Sequence, residues 1–146
     1  MSEKSALVVD DTLANRDFLE RLLMAAGFTV YPVSTAKAAL DQVKDRETLT
    51  LALVDMQLPD MNGLQLTTLL RKQFPDLYLV VATMHDEVSL MESVSEKGGN
   101  VFLVKPHGFM ELFKRLTTTD MKTLREGDFM VIDQYGPRPL KVAVKL

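Results

Sequence analysis

The chain of 146 residues contains no cysteine, which excludes disulfides, thiolate metal centres and cysteine nucleophiles and suits a reducing compartment. Histidine is scarce: His85 and His107 are the two in the chain, so a histidine-rich metal site is excluded too. Basic residues are not in excess. With Lys and Arg at 17 against 20 Asp and Glu, the formal net charge is -3, and nothing in that balance asks for direct nucleic-acid binding. No apolar run approaches the length of a membrane span, and Met1-Ser2-Glu3-Lys4-Ser5 is not followed by a secretory apolar region, so a cytoplasmic protein without a membrane partner is expected. Internal repeats and low-complexity segments are absent as well. What remains is 47% hydrophobic and 25% charged, an ordinary globular composition at the size of one domain plus a short extension.

The stretch that organises the rest is Leu49-Thr50-Leu51-Ala52-Leu53-Val54-Asp55, an apolar run ending in a carboxylate and followed by the turn-rich Met56-Gln57-Leu58-Pro59-Asp60-Met61-Asn62-Gly63. A short unbroken apolar run bounded by a turn reads as a strand buried on both faces, the pattern of a parallel sheet. Ala6-Leu7-Val8-Val9 repeats the design and ends in Asp10-Asp11. Asp11 or Thr12 can cap the helix that follows, with an apolar stripe at Leu19, Leu22, Leu23 and Ala26. Phe28-Thr29-Val30-Tyr31-Pro32-Val33 reads as an edge strand, because Pro32 cannot donate to a ladder. Ser34 or Thr35 caps a second helix, and Gly63 opens a third that stops before Pro75. Leu77-Tyr78-Leu79-Val80-Val81-Ala82-Thr83 is a strand ending in a hydroxyl. Val88, Met91 and Val94 mark a fourth helix, and Val101-Phe102-Leu103-Val104 leads into Lys105-Pro106. Phe109 through Leu116 completes a fifth helix. Alternating strands and helices of this kind predict a doubly wound α/β fold with a five-stranded parallel sheet. Right-handed crossovers then bring Asp10, Asp55, Thr83 and Lys105 to one rim, where open α/β sheets bind their ligands.

Three carboxylates in one crevice are unfavourable unless a cation joins them, and oxygen ligands of this kind suit Mg²⁺. Thr83 and Lys105 offer a hydroxyl and a positive charge to phosphate oxygens. Together these groups make a phosphoryl-transfer set. Taken singly each has a plainer reading: a cap for Asp11, a backbone-bonded hydroxyl for Thr83, a snorkelling stem for Lys105.

On the acidic pair Asp10-Asp11, Asp55 before Leu58-Pro59-Asp60-Met61-Asn62-Gly63, Thr83 after Val80-Val81-Ala82, and Phe102-Leu103-Val104-Lys105-Pro106, the chain resembles the receiver domain of two-component response regulators, over roughly Lys4 to Leu116. The resemblance implies a flavodoxin-like, CheY-like fold with strand order 2-1-3-4-5. It implies that Asp55 is the phosphoacceptor, that Asp10, Asp11, Asp55 and the backbone carbonyl of Gln57 hold Mg²⁺, and that Lys105 pairs with the acyl phosphate. Thr83 and Phe102 would form the switch, the hydroxyl moving toward the phosphate and the ring filling the vacated space, with the output surface on the fourth helix, fifth strand and fifth helix. The partners implied are a histidine kinase or phosphotransfer protein, an unknown downstream protein and optionally a second copy in a homodimer. The chain would accept a phosphoryl group rather than act as an enzyme, with slow autodephosphorylation at most. Three positions depart from the usual pattern: Met84 where a small residue is common, Gly98-Gly99, and His107-Gly108 where an apolar residue usually follows the proline.

The receiver is expected at residues 1–118 and a C-terminal extension at 119–146. There Asp128-Phe129-Met130-Val131-Ile132-Asp133 reads as a strand, Gln134-Tyr135-Gly136-Pro137-Arg138-Pro139 as a turn, and Leu140 to Leu146 as a second strand. A lone hairpin is marginal, so it should pack on the domain or pair with a second chain. Competing readings are a pseudo-receiver that no longer takes phosphate, and a fragment of a longer regulator. A haloacid-dehalogenase-like phosphatase needs a second acid two residues after its nucleophile, a spacing that Asp10-Asp11-Thr12 lacks.

Overall fold

The computed structural model describes residues 4–140. Strands β1 (Ser5–Val9), β2 (Thr29–Val33), β3 (Leu51–Asp55), β4 (Tyr78–Thr83) and β5 (Val101–Val104) alternate with helices α1 (Leu13–Ala25), α2 (Ala36–Val43), α3 (Gly63–Gln73), α4 (Val88–Glu96) and α5 (Gly108–Thr118). The strands pair in parallel in the order β2-β1-β3-β4-β5, as the resemblance implies. β1, β3, β4 and β5 are buried along their whole length, which is why their sequences are continuous apolar runs rather than alternating ones. One face of the sheet, with Leu7, Val54, Val81 and Phe102, packs on Ala39, Leu66, Leu70 and Val94. The other, with Val8, Leu53, Val80 and Leu103, packs on Leu19, Leu23, Phe109 and Leu112. β2 lies at the sheet edge, half-exposed, as Pro32 required.

Helix starts are set locally. The Thr35 hydroxyl caps α2 by accepting from the Ala38 N–H at 3.0 Å, and Asn62 with Gln65 forms a capping box at α3. At α1 the expectation fails: Thr12 occupies the cap position without a side-chain bond, and the Asp10 carboxylate accepts the Thr12 N–H at 2.9 Å instead. Val88, expected on the apolar stripe of the fourth helix, is 56% exposed.

The extension differs most from expectation. After α5 comes a short helix, α6 (Met121–Glu126), capped by Asp120, whose carboxylate accepts from the Thr123 N–H at 2.8 Å. Its Leu124 is buried in the second core face. The chain then enters β6 (Met130–Asp133), which pairs parallel to β5, and turns into the antiparallel β7 (Gly136–Pro139). Among the described residues the sheet therefore has seven strands in the order β2-β1-β3-β4-β5-β6-β7. Packing of the hairpin on its own domain is borne out, while its boundaries are corrected. Gly136 to Pro139, read as turn, is the second strand, and the expected strand beyond Leu140 lies outside the described residues. Two prolines with a glycine are turn residues by composition, but they are accepted in a strand where their nitrogens face away from the ladder. Asp133 pairs with Gly136 across a two-residue turn, and Leu140 donates to the Phe129 carbonyl further along, so Pro137 and Pro139 occupy the positions whose nitrogens face away from β6. Two prolines on that outer edge leave no N–H there for a further strand.

Val131 and Ile132 of β6 are fully buried, one in each core face. Ile132→Ala should cost roughly 2–5 kcal/mol of unfolding free energy in a urea titration, the range for a core methylene deletion with a residual cavity. A loss below about 1 kcal/mol, typical of surface changes, would place β6 outside the cooperative core.

Candidate functional site

At the carboxyl ends of β1, β3, β4 and β5 the fold brings together Asp10, Asp55, Thr83 and Lys105, all buried. Asp10, Asp11 and Asp55 each present a carboxylate oxygen within 4.8 Å of the others, with Asp11 exposed to solvent. The Lys105 ammonium lies 3.1 Å from Asp10 Oδ2 and 3.1 Å from Asp55 Oδ2. It is 7% exposed, so it is a buried charge held by two acids and not a snorkelling stem. A cavity of about 240 Å³ opens above, lined by Asp11, Thr12, Asn15, Asp55, Gln57, Thr83, Met84 and Lys105. All the expected site residues except Asp10 and Phe102 line it. Asp10 lies beneath, in contact with Lys105, and Phe102 is fully enclosed in the core.

The loop after β3 is folded tightly back on the strand. The Gly63 N–H donates to the Met56 carbonyl at 2.7 Å, and Gln57 and Asn62 form a single antiparallel bridge. A Cβ on Gly63 would sit 2.5 Å from the Asp55 carbonyl oxygen and 2.7 Å from Met56 Cα, so only glycine permits this approach. The fold fixes Asp55 further through the Gln57 N–H, which donates to Asp55 Oδ1 at 3.2 Å. Burial raises the Asp55 carboxyl above its ordinary range, against the opposing pull of Lys105 and of the Gln57 N–H. The Thr83 hydroxyl accepts from the His85 N–H at 3.1 Å, which orients its oxygen at the rim.

Two residues escaped the sequence reading. Asn15 lines the cavity four residues after Asp11, a helical spacing that was available as a signal. Asp60 reaches across to the start of α2, where its carboxylate accepts from the Ala36 and Lys37 N–H groups at 3.0 and 2.9 Å. Those bonds, the Lys37 one foremost, hold the Asp60 carboxyl below its usual range and tie the loop that carries Gln57 to the neighbouring helix. No local pattern marks a cap supplied from another element.

The chemistry of this donor set fits a hard divalent cation: three carboxylates close together, two of them buried, with one lysine to offset them. The sequence profile of the response regulator receiver domain matches residues 6–117. The chain is 33% identical over 122 residues to the response regulator MprA of Mycobacterium avium, a match covering 84% of this chain and 53% of that protein. It is 34% identical over 100 residues to the response regulator protein FleR of Pseudomonas aeruginosa, covering 68% of this chain and 21% of that one. A CheY-like receiver domain structure from Methanospirillum hungatei superposes with a TM-score of 0.73 at 27% identity, covering 86% of this chain and 96% of its own. The chain thus belongs to the response regulator receiver domain family of two-component systems, a signalling module rather than a conventional enzyme. It spans about half the length of the MprA relative.

Because the folded-state value of Asp55 is raised, its ionised form is disfavoured by folding. The unfavourable contribution is complete above the folded value and vanishes below the unfolded one. In Mg²⁺-free buffer Asp55→Asn should therefore melt higher than the parent at neutral pH, and the gap should close as pH falls through the carboxylate range. A lower melting temperature for the variant at neutral pH would show that the Lys105 pairing outweighs desolvation.

Proposed function

We propose that this receiver is a phosphoryl acceptor, taking the group on Asp55 from a histidine kinase or phosphotransfer protein in the cytoplasm. The single observation that carries the reading is the Lys105 ammonium seated 3.1 Å from Asp55 Oδ2 at the base of an open polar cavity. An Asp55 oxygen attacks phosphorus, the bond from phosphorus to the donor atom breaks, and the donor keeps the bonding pair. Lys105 then follows charge from the carboxylate to the new phosphoryl oxygens, and the Thr83 hydroxyl hydrogen is available to one of them. Asp10, Asp11, Asp55 and the Gln57 carbonyl would hold Mg²⁺, which supplies neutralisation of the phosphoryl oxygens when bound. Asp10 keeps Lys105 in place from below, accepting from its ammonium at 3.1 Å.

Hydrolysis of the acyl phosphate by the chain itself is slow at most. The exposed Met84 forms part of the cavity wall and narrows the approach to Asp55. A pseudo-receiver reading is opposed by the intact set of acids, hydroxyl and lysine. The output surface differs from the one that the resemblance implies. β5 is not at the sheet edge here, because β6 pairs along it at Val101, Phe102 and Leu103. An output surface built on the fourth helix, fifth strand and fifth helix must include the extension.

Incubation with acetyl phosphate and Mg²⁺ should add one labile phosphoryl group by intact mass, and Asp55→Asn should gain none; a mass gain in that variant would refute the assignment. Mg²⁺ alone should raise the melting temperature by mass action. Asp11→Asn should melt higher than the parent without metal, since it removes one of the three crowded charges, and should lose the Mg²⁺-dependent rise. An undiminished rise would remove Asp11 from the ligand set.

A further inference from the structure

Phe102 and the C-terminal hairpin stand in an unusual relation. The ring is fully buried, and its register neighbour across the β5–β6 pairing is Val131, also fully buried and part of the same core face. A swing of Phe102 into space vacated by Thr83 would therefore pull it off Val131 and open a hole in a continuous core, unless β6 moved with it. The hairpin has a second link to the acceptor site. β6 ends at the same rim as the site strands, and its Asp133 carboxylate accepts from the Tyr135 N–H at 2.9 Å and from Arg138 at 2.6 Å, which fixes the turn. That turn closes one side of a cavity of about 230 Å³ whose other walls are Met84, Asp86, Val104, Lys105 and His107. Met84 and Lys105 also line the acceptor cavity, so the two spaces share a wall. Across the outer cavity Met84 is 71% and Tyr135 80% exposed, two large side chains held in water on either side of a gap.

We propose that the hairpin turn Asp133 to Gly136 is a lid that closes over the outer cavity when Asp55 is phosphorylated, bringing Tyr135 onto Met84. The inference rests on Asp55 being the acceptor. A phosphoryl group adds about -1.5 to -2 charges beside Lys105. Lys105 lines both cavities, so its response to the new oxygens reaches the outer one. Closure then removes apolar surface of Tyr135 and Met84 from water. The other charged groups facing the gap are His107, Asp86 and Asp133, the last already neutralised by Arg138.

The chain has no tryptophan, so Tyr135→Trp makes an exposed single-tryptophan reporter of the full chain. With phosphorylation by acetyl phosphate and Mg²⁺ followed by intact mass, its emission should shift to the blue. Exchange of the amides from Gln134 to Gly136 in the parent should slow at least about threefold. Neither change should occur in chains that also carry Asp55→Asn. Met84→Ala, phosphorylated to the same extent, should lose most of the slowing. Phosphorylated protein with unchanged or red-shifted emission and unchanged or faster turn exchange overturns the lid, as does an undiminished response in Met84→Ala. Absence of any mass gain instead overturns the acceptor reading, and the lid with it.

Discussion

The structure depends on one buried cation. Lys105 arrives from the end of β5 and sits between Asp10 at the end of β1 and Asp55 at the end of β3, 3.1 Å from each. Without it the crevice would hold only acids in a poorly solvated place, and without the acids a buried ammonium would have no partner. The contact spans 95 residues of chain and reaches from β5 to β1, so it forms only when the crossovers place these strand ends on one rim. Such a pair adds little net stability, because desolvation of both charges offsets their attraction. Its consequence is electrostatic. Asp55 remains unfavourably desolvated even with Lys105 beside it, a charge that a cation in the crevice would offset.

The extension changes what the rest of the sheet can do. In a five-stranded receiver β5 would be an edge, with backbone groups open to another chain. Here β6 takes that position and β7 ends the sheet with two prolines whose nitrogens face out. The former edge is thus converted to core: Val131 joins one face and Ile132 the other, on either side of the same strand. Residues of β5 are thus paired on both sides, by β4 and by β6, and the extension reaches the same rim as the site.

How much of this was legible in the sequence follows from the range of the forces involved. Strands buried on both faces announce themselves as apolar runs, so β1, β3, β4 and β5 and the residues at their ends were readable without a structure. The edge position of β2 was readable from Pro32. Contacts made by one element on another were not. Asp60 capping α2 looks locally like any turn aspartate, and at the start of α1 the Thr12 side chain makes no cap bond while its N–H donates to the strand-end carboxylate of Asp10. In the tail, Asp120, the apolar pair Met121 and Leu124, and Gly127 carried a helix signal that six residues make weak. β7 was misread as turn because the pattern Gly-Pro-Arg-Pro is forbidden in a central strand but acceptable on an edge.

The same extension constrains the start of α5. Where an apolar residue usually follows the proline, this chain has His107-Gly108, with Gly108 as the first residue of α5 and buried. A Cβ at Gly108 would lie 2.6 Å from Leu103 Cγ and 3.0 Å from the Ile132 carbonyl oxygen. The first is a side chain of β5 and the second is backbone of β6, so the extension adds to an obstacle that β5 already presents. A larger residue at 108 would lift the start of α5 away from β6, and with it the loop that delivers Lys105 to the two acids. Gly108 thus lets α5 begin close against both β5 and β6, directly after the segment that carries Lys105.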